Sequence, residues 1–198
     1  MDEVLPGIYD WAAVHPKLDQ PVHCHFVASA GAVIDPLLAE DGLDPFRERA
    51  VTRVVLSNRH HDRDAARFVE AFGCEVLCNQ RGLHEFEGRD LDVTPFDFGD
   101  EPAPGIRAHP ILPEWPDETG LLVEDAGLLI VADSLVSRDG ALDFVEDAWL
   151  GDHAEEEKAH LRRGVATLLE LDFDHLMFAH APPLIGGAKD ALREFVGG

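Results

Sequence analysis

Histidine and aspartate side chains follow one strand-like segment of this chain in a pattern that could bind a metal ion. Residues 57–63 read Ser-Asn-Arg-His-His-Asp-Arg and lie between an apolar run, residues 51–56, and a helix-like run, residues 64–72. Imidazole and carboxylate groups at the carboxyl edge of a strand can hold a divalent ion on a rigid base. The chemistry that this loop predicts is metal-dependent hydrolysis.

Length, composition and charge indicate the number of domains, the location and the partners to expect for this chain. The 198 residues are enough for one domain with a sizeable core, so we expect a single domain over residues 1–198. No apolar stretch approaches the roughly 18 residues of a membrane span, and the acidic N-terminus is unlike a secretory signal, so we expect a cytoplasmic protein. The net charge of −23 disfavours nucleic acid and anionic membranes as partners. A small-molecule substrate is the expected partner, and a homodimer stays open.

Strand and helix patterns alternate around the loop and must position it. Short β-rich pieces recur up to residue 35, and residues 51–78 read as a β-α-β unit whose helix is closed by Gly73. Residues 120–132 contain two apolar runs joined by an acidic turn, which indicates a β-hairpin.

The C-terminal third alternates in the same way. Asp152 is placed to cap a long helix with Glu155 at the capping-box position, a strand over residues 175–179 precedes His180, and residues 188–196 form a last helix. A further short helix is predicted over residues 45–50. This order predicts an α/β (α+β) fold in which two sheets pack between outer helices.

The arrangement and its polar strand ends resemble the metallo-β-lactamase superfamily. That superfamily has an αββα sandwich of two mixed β-sheets, an H-x-H-x-D-H loop after a strand, an Asp after a later hairpin and a His near the C-terminus. Here the loop reads Asn58-x-His60-x-Asp62-Arg63, the hairpin ends at Asp133, and the late histidine is His180. The resemblance spans nearly the whole chain.

The departures from this pattern imply one metal ion rather than two. Asn58 replaces the first loop histidine, Arg63 replaces the last loop ligand, and the histidine expected near residues 115–118 is absent. Two carboxylates and one imidazole suit a single zinc ion, and manganese or ferrous iron less well. The metal ligands that the resemblance leaves are Asp62, Asp133, His180 and His60.

The resemblance further implies hydrolysis of a small ester, thioester, lactone or phosphate. His60 and Asp62 are the expected catalytic residues, with the metal lowering the pKa of a water molecule and His60 acting as general base. Arg63 and Asn58 are expected to contact the substrate, Arg63 through an anionic group.

Two alternatives remain open at this point. Arg63 could bond to Asp62 or Asp133 and replace the cation, because a guanidinium is a natural substitute for a metal ion between carboxylates. The protein would then be metal-free and catalytically inactive. In the other alternative, His61 or Glu118 completes a dinuclear ligand set.

Several other polar and aromatic residues have more ordinary expected roles. His23 and His25 alternate along a strand and should point to one face, where packing or surface roles are the default. Asp117 and Glu118 are expected in a polar turn, in which a carboxylate could stand in for the missing histidine. Trp115 beside them is expected to cover a pocket.

Overall fold

Seven strands form the first of two mixed sheets in the computed structural model, which describes residues 1–111, 116–138 and 140–198. They lie side by side in chain order, antiparallel from β1 to β4 and parallel from β4 to β7. The strands are β1 (Asp2–Leu5), β2 (Ile8–Val14), β3 (Pro21–Val27), β4 (Ala32–Ile34), β5 (Arg53–Val55), β6 (Glu75–Asn79) and β7 (Val93–Phe96).

Five strands in the order β14-β13-β10-β9-β8 form the second sheet, in which β10 and β13 run parallel and the other neighbours run antiparallel. A separate hairpin pairs β11 with β12. The strands are β8 (Ile106–Pro110), β9 (Thr119–Val123), β10 (Leu128–Val131), β11 (Val136–Arg138), β12 (Ala141–Asp143), β13 (His175–Phe178) and β14 (Leu184–Ile185).

Helices pack on the outer faces of both sheets, and three layers of apolar side chains result. The first sheet carries α1 (Ala65–Phe72), and the second carries α3 (Ala154–Thr167) and α4 (Ala188–Gly197). A short α2 (Asp147–Leu150) precedes α3. The third layer lies between the sheets. The αββα sandwich predicted from the sequence is therefore confirmed.

Adjacent apolar residues of one strand contribute to two different layers of the core. In β5, Val54 faces the helix side and Val55 faces the other sheet, and in β9 Leu121 and Leu122 divide in the same way. Side chains in a strand point alternately to its two faces, so a strand covered on both sides is apolar at every position.

Two local predictions differ from the structure. Residues 45–50 form no α-helix, and the segment contains a single 3-10 turn, Asp44–Phe46. Six residues make too few hydrogen bonds to offset helix nucleation, and Phe46 is instead buried against the core. Asp152 does not cap α3. The N-cap of that helix is His153, which makes no side-chain capping hydrogen bond, because α2 and a 3-10 turn that contains Asp152 lead directly into the helix.

No helix in the part of the chain that the structure describes is both long enough and apolar enough to cross a membrane. Trp115, expected to cover the pocket, lies outside the described residues.

Candidate metal centre

One edge of the sandwich gathers the carboxyl ends of four strands from both sheets. Asp35 follows β4, the loop of residues 56–64 follows β5, Asp133 follows β10 and His180 follows β13. Backbone hydrogen bonds tie the sheets together at this edge: Thr119 N–H donates to the Ser57 carbonyl at 2.8 Å, and His23 N–H donates to the Ala179 carbonyl at 2.8 Å. Residues far apart in the chain are thus held on a rigid base.

Three side chains at this edge, His61, Asp133 and His180, form a group with the geometry of a metal site. Each offers one ligand atom, and these atoms lie within 4.8 Å of one another. The Nε2 atom of His180 is 2.9 Å and the Nε2 atom of His61 is 3.3 Å from Asp133 Oδ1. His61 is buried, whereas the other two are partly open to a cavity of about 720 Å³. The group therefore converges where a small molecule could reach it.

Asp35 fixes the orientation of His61. Its carboxylate lies 2.9 Å from His61 Nδ1 and also accepts hydrogen bonds from the Ser57 backbone at 2.8 Å and from the Ser57 hydroxyl. A carboxylate can only accept, so the proton of this bond belongs to Nδ1 and the Nε2 atom is left to face Asp133. A carboxylate behind the imidazole is the usual support of a histidine that binds a metal.

The pKa values of His61 and Asp133 are shifted because these two groups and their charged neighbours are buried together. Burial alone would lower the pKa of His61, but Asp133 and Asp35 outweigh both burial and the nearby Arg63 and raise it to about 9. Burial opposes the ionised form of Asp133, yet His61 and His180 hold the pKa of that carboxyl well below its usual value. Without a metal, a protonated His61 can therefore neutralise Asp133.

Of the residues predicted from the loop motif, only some lie at the three-ligand group. Asn58 lies at the site, where its side-chain amide donates to Asp133 Oδ2 at 2.8 Å. His60 is exposed at the cavity rim, and Asp62 accepts a hydrogen bond from Arg89. The structure thus brings Asp133 and His180 together with His61, a residue that the motif places between ligands. In the described residues, neither His60 nor Asp62 belongs to the three-ligand group.

A turn in the loop explains the change from His60 to His61. The Asn58 side chain accepts the His60 N–H at 2.9 Å, and the Asn58 carbonyl accepts the His61 N–H at 3.3 Å. The chain reverses over these residues, so the first histidine projects outward and the second returns to the edge. The paired histidines are a signal of this choice, because a tight turn can direct only one of two adjacent side chains inward.

Arg63 lies at the cavity without replacing a metal ion. Its guanidinium donates to the Asp35 carbonyl at 2.9 Å and approaches the His23 carbonyl at 3.5 Å. Among the residues that the structure describes, no ion pair joins Arg63 to Asp62 or Asp133. The contacts expected of a guanidinium standing in for the cation are therefore not made.

Two buried carboxylates, Asp117 and Glu118, occupy the place where the sequence lacks a histidine. Glu118 accepts the Ser134 N–H at 2.6 Å and so fixes the segment that carries Asp133. Burial and the nearby Asp133 raise the pKa of Glu118 to about 8. Asp117 accepts the Arg59 N–H at 2.8 Å and pairs with the Arg59 guanidinium. These carboxylates support the loops around the site.

His23 and His25 both contact Asp10, at 2.9 Å and 3.0 Å, and so point to one face of β3 as their spacing predicts. Burial would raise the pKa of Asp10, but the hydrogen bonds and charges of the two histidines lower it to about 2. This cluster is separate from the metal-like group.

Comparison of the architecture with solved structures decides the fold. A metallo-β-lactamase family protein from Thermus thermophilus aligns with 98% of this chain and 80% of its own, at a TM-score of 0.70 and 15% sequence identity. A metallo-β-lactamase from Erythrobacter litoralis aligns over 99% and 95%, at a TM-score of 0.67 and 11% identity. The chain has the metallo-β-lactamase fold.

A third structure with the metallo-β-lactamase fold of this chain is that of TTHA1623 in a di-iron-bound form. It aligns with 91% of this chain and 96% of its own, at a TM-score of 0.66 and 18% identity. No family model matches the sequence, and neither does any curated protein sequence. The resemblance predicted from the motif is thus confirmed at the level of the fold, while the identity of the ligands remains a prediction.

Proposed function

We propose that the protein is a metal-dependent hydrolase of a small ester, thioester, lactone or phosphate, with one metal ion bound by His61, Asp133 and His180. The observation that carries this proposal is the approach of three ligand atoms to within 4.8 Å of one another beside a cavity of about 720 Å³. A cavity of this size suits a small molecule.

The donor set fits a catalytic metal ion. Three protein ligands that leave further positions open are the pattern of catalytic zinc sites, and two histidines with one carboxylate also suit ferrous iron. Zinc is the first choice and iron the second, since a similar structure is described as di-iron-bound. Such an ion supplies Lewis-acid chemistry, which lowers the pKa of water and polarises a carbonyl or phosphoryl oxygen.

The protein residues orient this donor set and shape its surroundings. Asp35 keeps the proton of His61 on Nδ1, and Asn58 holds the second oxygen of Asp133. Glu118 fixes the same segment through the Ser134 amide. His60 lies at the cavity rim, from which we propose that it accepts a proton from the attacking water.

A second candidate function is a metal-free protein with the same fold, and one observation favours it. His61 and His180 already contact Asp133 at 3.3 Å and 2.9 Å. In this candidate a protonated His61, rather than Arg63, neutralises the carboxylate.

Metal content separates the two candidates. Protein purified without chelator and dialysed against zinc should hold about one equivalent, and Asp133→Ala should hold less than roughly a tenth of that. Asp190→Ala is the matched control because Asp190 is exposed on α4 and pairs only with the neighbouring Arg193 among the described residues. A folded wild-type protein that binds neither zinc nor ferrous iron would overturn the hydrolase and leave the second candidate.

A further inference from the structure

Basic side chains cover one wall of the cavity, although the chain as a whole is strongly acidic. The β2–β3 loop, residues 15–20, brings His15 and Lys17 to the cavity, where Arg63 and the two histidines of the metal-like group also lie. The chain has 16 lysine and arginine residues against 39 acidic ones. Asp117, Glu118, Asp133 and Glu146 also line the cavity, so the cations that matter for a ligand are those that no carboxylate pairs with.

Two of these cations, Lys17 and Arg63, have no carboxylate partner in the part of the chain that the structure describes. Elsewhere in the cavity, Arg59 pairs with Asp117. The Nε atom of Arg138 lies 3.1 Å from Asp143 Oδ2, and its Nη1 atom lies 3.8 Å from Glu146 Oε1. By contrast, within the described ranges no acidic group lies within ion-pair distance of Lys17 or Arg63. The charge of Lys17 is therefore left to act on a ligand, together with the Arg63 guanidinium, which bonds to the uncharged backbone carbonyls of Asp35 and His23.

His15 lies near these charges and adds a hydrogen-bond donor. Burial lowers the pKa of His15, and the charges of Arg63, Lys17, His180 and His61 lower it further. Its Nδ1 atom accepts the backbone N–H groups of residues 17 and 18, both at 3.3 Å. A neutral imidazole that accepts at Nδ1 carries its proton on Nε2, so His15 can donate a hydrogen bond from that atom.

We infer that the substrate carries a carboxylate or phosphate group at a distance from its scissile bond, and that Lys17, His15 and Arg63 bind this group. That the bound anion belongs to a substrate rests on the proposed function. The binding of the anion does not, because the basic wall exists whether or not the site hydrolyses anything.

Apolar side chains that line the same cavity define the rest of the ligand. Trp149 is 53% exposed, as few large apolar side chains are among the described residues, and it lines the cavity with Val145 and Leu18. An aromatic ring or short alkyl chain would cover these side chains when bound. The ligand class is thus a small amphipathic anion. The net charge of −23 repels large polyanions, so we expect nucleic acid and anionic membranes to bind there weakly.

Binding of a charged probe and its neutral analogue tests the inference without requiring catalysis. The probes are 4-phenylbutyrate, 4-phenylbutyramide and phenyl phosphate, titrated calorimetrically into the zinc-dialysed full chain. We expect the carboxylate to bind at least about fivefold more tightly than the amide. We expect Lys17→Gln to remove most of that preference, whereas Arg193→Gln, the same loss of charge on exposed α4, should leave it intact.

Each outcome of this titration has one meaning. Equal affinity for the carboxylate and the amide, or an unchanged preference in Lys17→Gln, would overturn the inference. Tighter binding of phenyl phosphate than of phenylbutyrate would assign the wall to phosphate, and the reverse would assign it to carboxylate. Preferential binding of the anion by a protein that holds no metal would overturn the hydrolase but retain the anion site.

Discussion

In the proposed metal site, Asp35 determines which nitrogen of His61 is available to the ion, and Asp35→Asn tests this directly. In the wild-type protein the carboxylate accepts from His61 Nδ1 at 2.9 Å and from the Ser57 backbone at 2.8 Å. In the variant, one side-chain atom can still accept the Ser57 N–H, but the other becomes an amide donor that faces His61 Nδ1. The imidazole must then accept at Nδ1, which moves its proton to Nε2 and blocks the ligand atom.

The expected loss follows from the position of Asp35 behind His61, the proposed ligand. Removing a carboxylate that supports a metal-binding histidine costs about 10- to 100-fold in metal affinity, or about 1.4 to 2.7 kcal/mol. Competition of the protein with a chromophoric chelator measures zinc affinity over this range. Thermal unfolding of the same sample shows whether the variant is folded.

Asp10→Asn is the matched control for this substitution. Asp10 is also a buried carboxylate that contacts histidines, His23 and His25, but it lies outside the metal-like group. The Asp10→Asn variant should unfold more easily than the wild type but bind zinc with the same affinity. If folded Asp35→Asn bound zinc within about twofold of the wild type, the argument from the His61 tautomer would be wrong.

Two further predictions concern stability. The pKa of Asp10 is about 2 in the folded protein against 3.8 for the free side chain, so its ionised form contributes about 2 kcal/mol to stability above pH 4, and this contribution is lost as the pH falls towards 2. Urea unfolding at several pH values should show the loss in the wild type and not in Asp10→Asn. Parallel pH profiles of the two proteins would contradict this prediction. Gly31→Ala should destabilise the fold by about 2 kcal/mol or more, because a Cβ atom there would lie 2.6 Å from the Ala50 carbonyl oxygen. Gly73→Ala is its control, since that glycine has a similar positive φ with nothing within 4 Å, and equal losses in the two variants would refute the clash.

The sandwich could be predicted from the sequence because local patterns determine its elements. Helix α1 ends where Gly73 adopts a left-handed conformation, with φ of 63°, as its sequence indicates. The β9–β10 hairpin turns over Glu124–Ala126 and closes at Gly127, also left-handed. In both cases a glycine and the apolar run beside it determine the outcome without reference to distant residues.

The metal-like group could be predicted only in part. Asp133 and His180 follow apolar strands, and such strand ends can be read from the pattern. His61 lies in a turn, where neither helical nor strand periodicity applies, so the sequence could not show which of two adjacent histidines faces inward. Its partner Asp35 lies 26 residues earlier in the chain, and only the tertiary fold brings the two together.

Backbone strain and buried charge concentrate at the same edge of the sandwich, which argues that this edge is maintained for a function. Among the described residues, the non-glycine positions with positive φ are Asp19, Asp35 and Arg63, all in loops at that edge. Each such conformation costs of order 1 kcal/mol, and burying ionised Asp and His side chains costs more than apolar residues of the same size would. A fold selected for stability alone would not place these costs together. The proposed site, which must orient His61 towards Asp133, accounts for them.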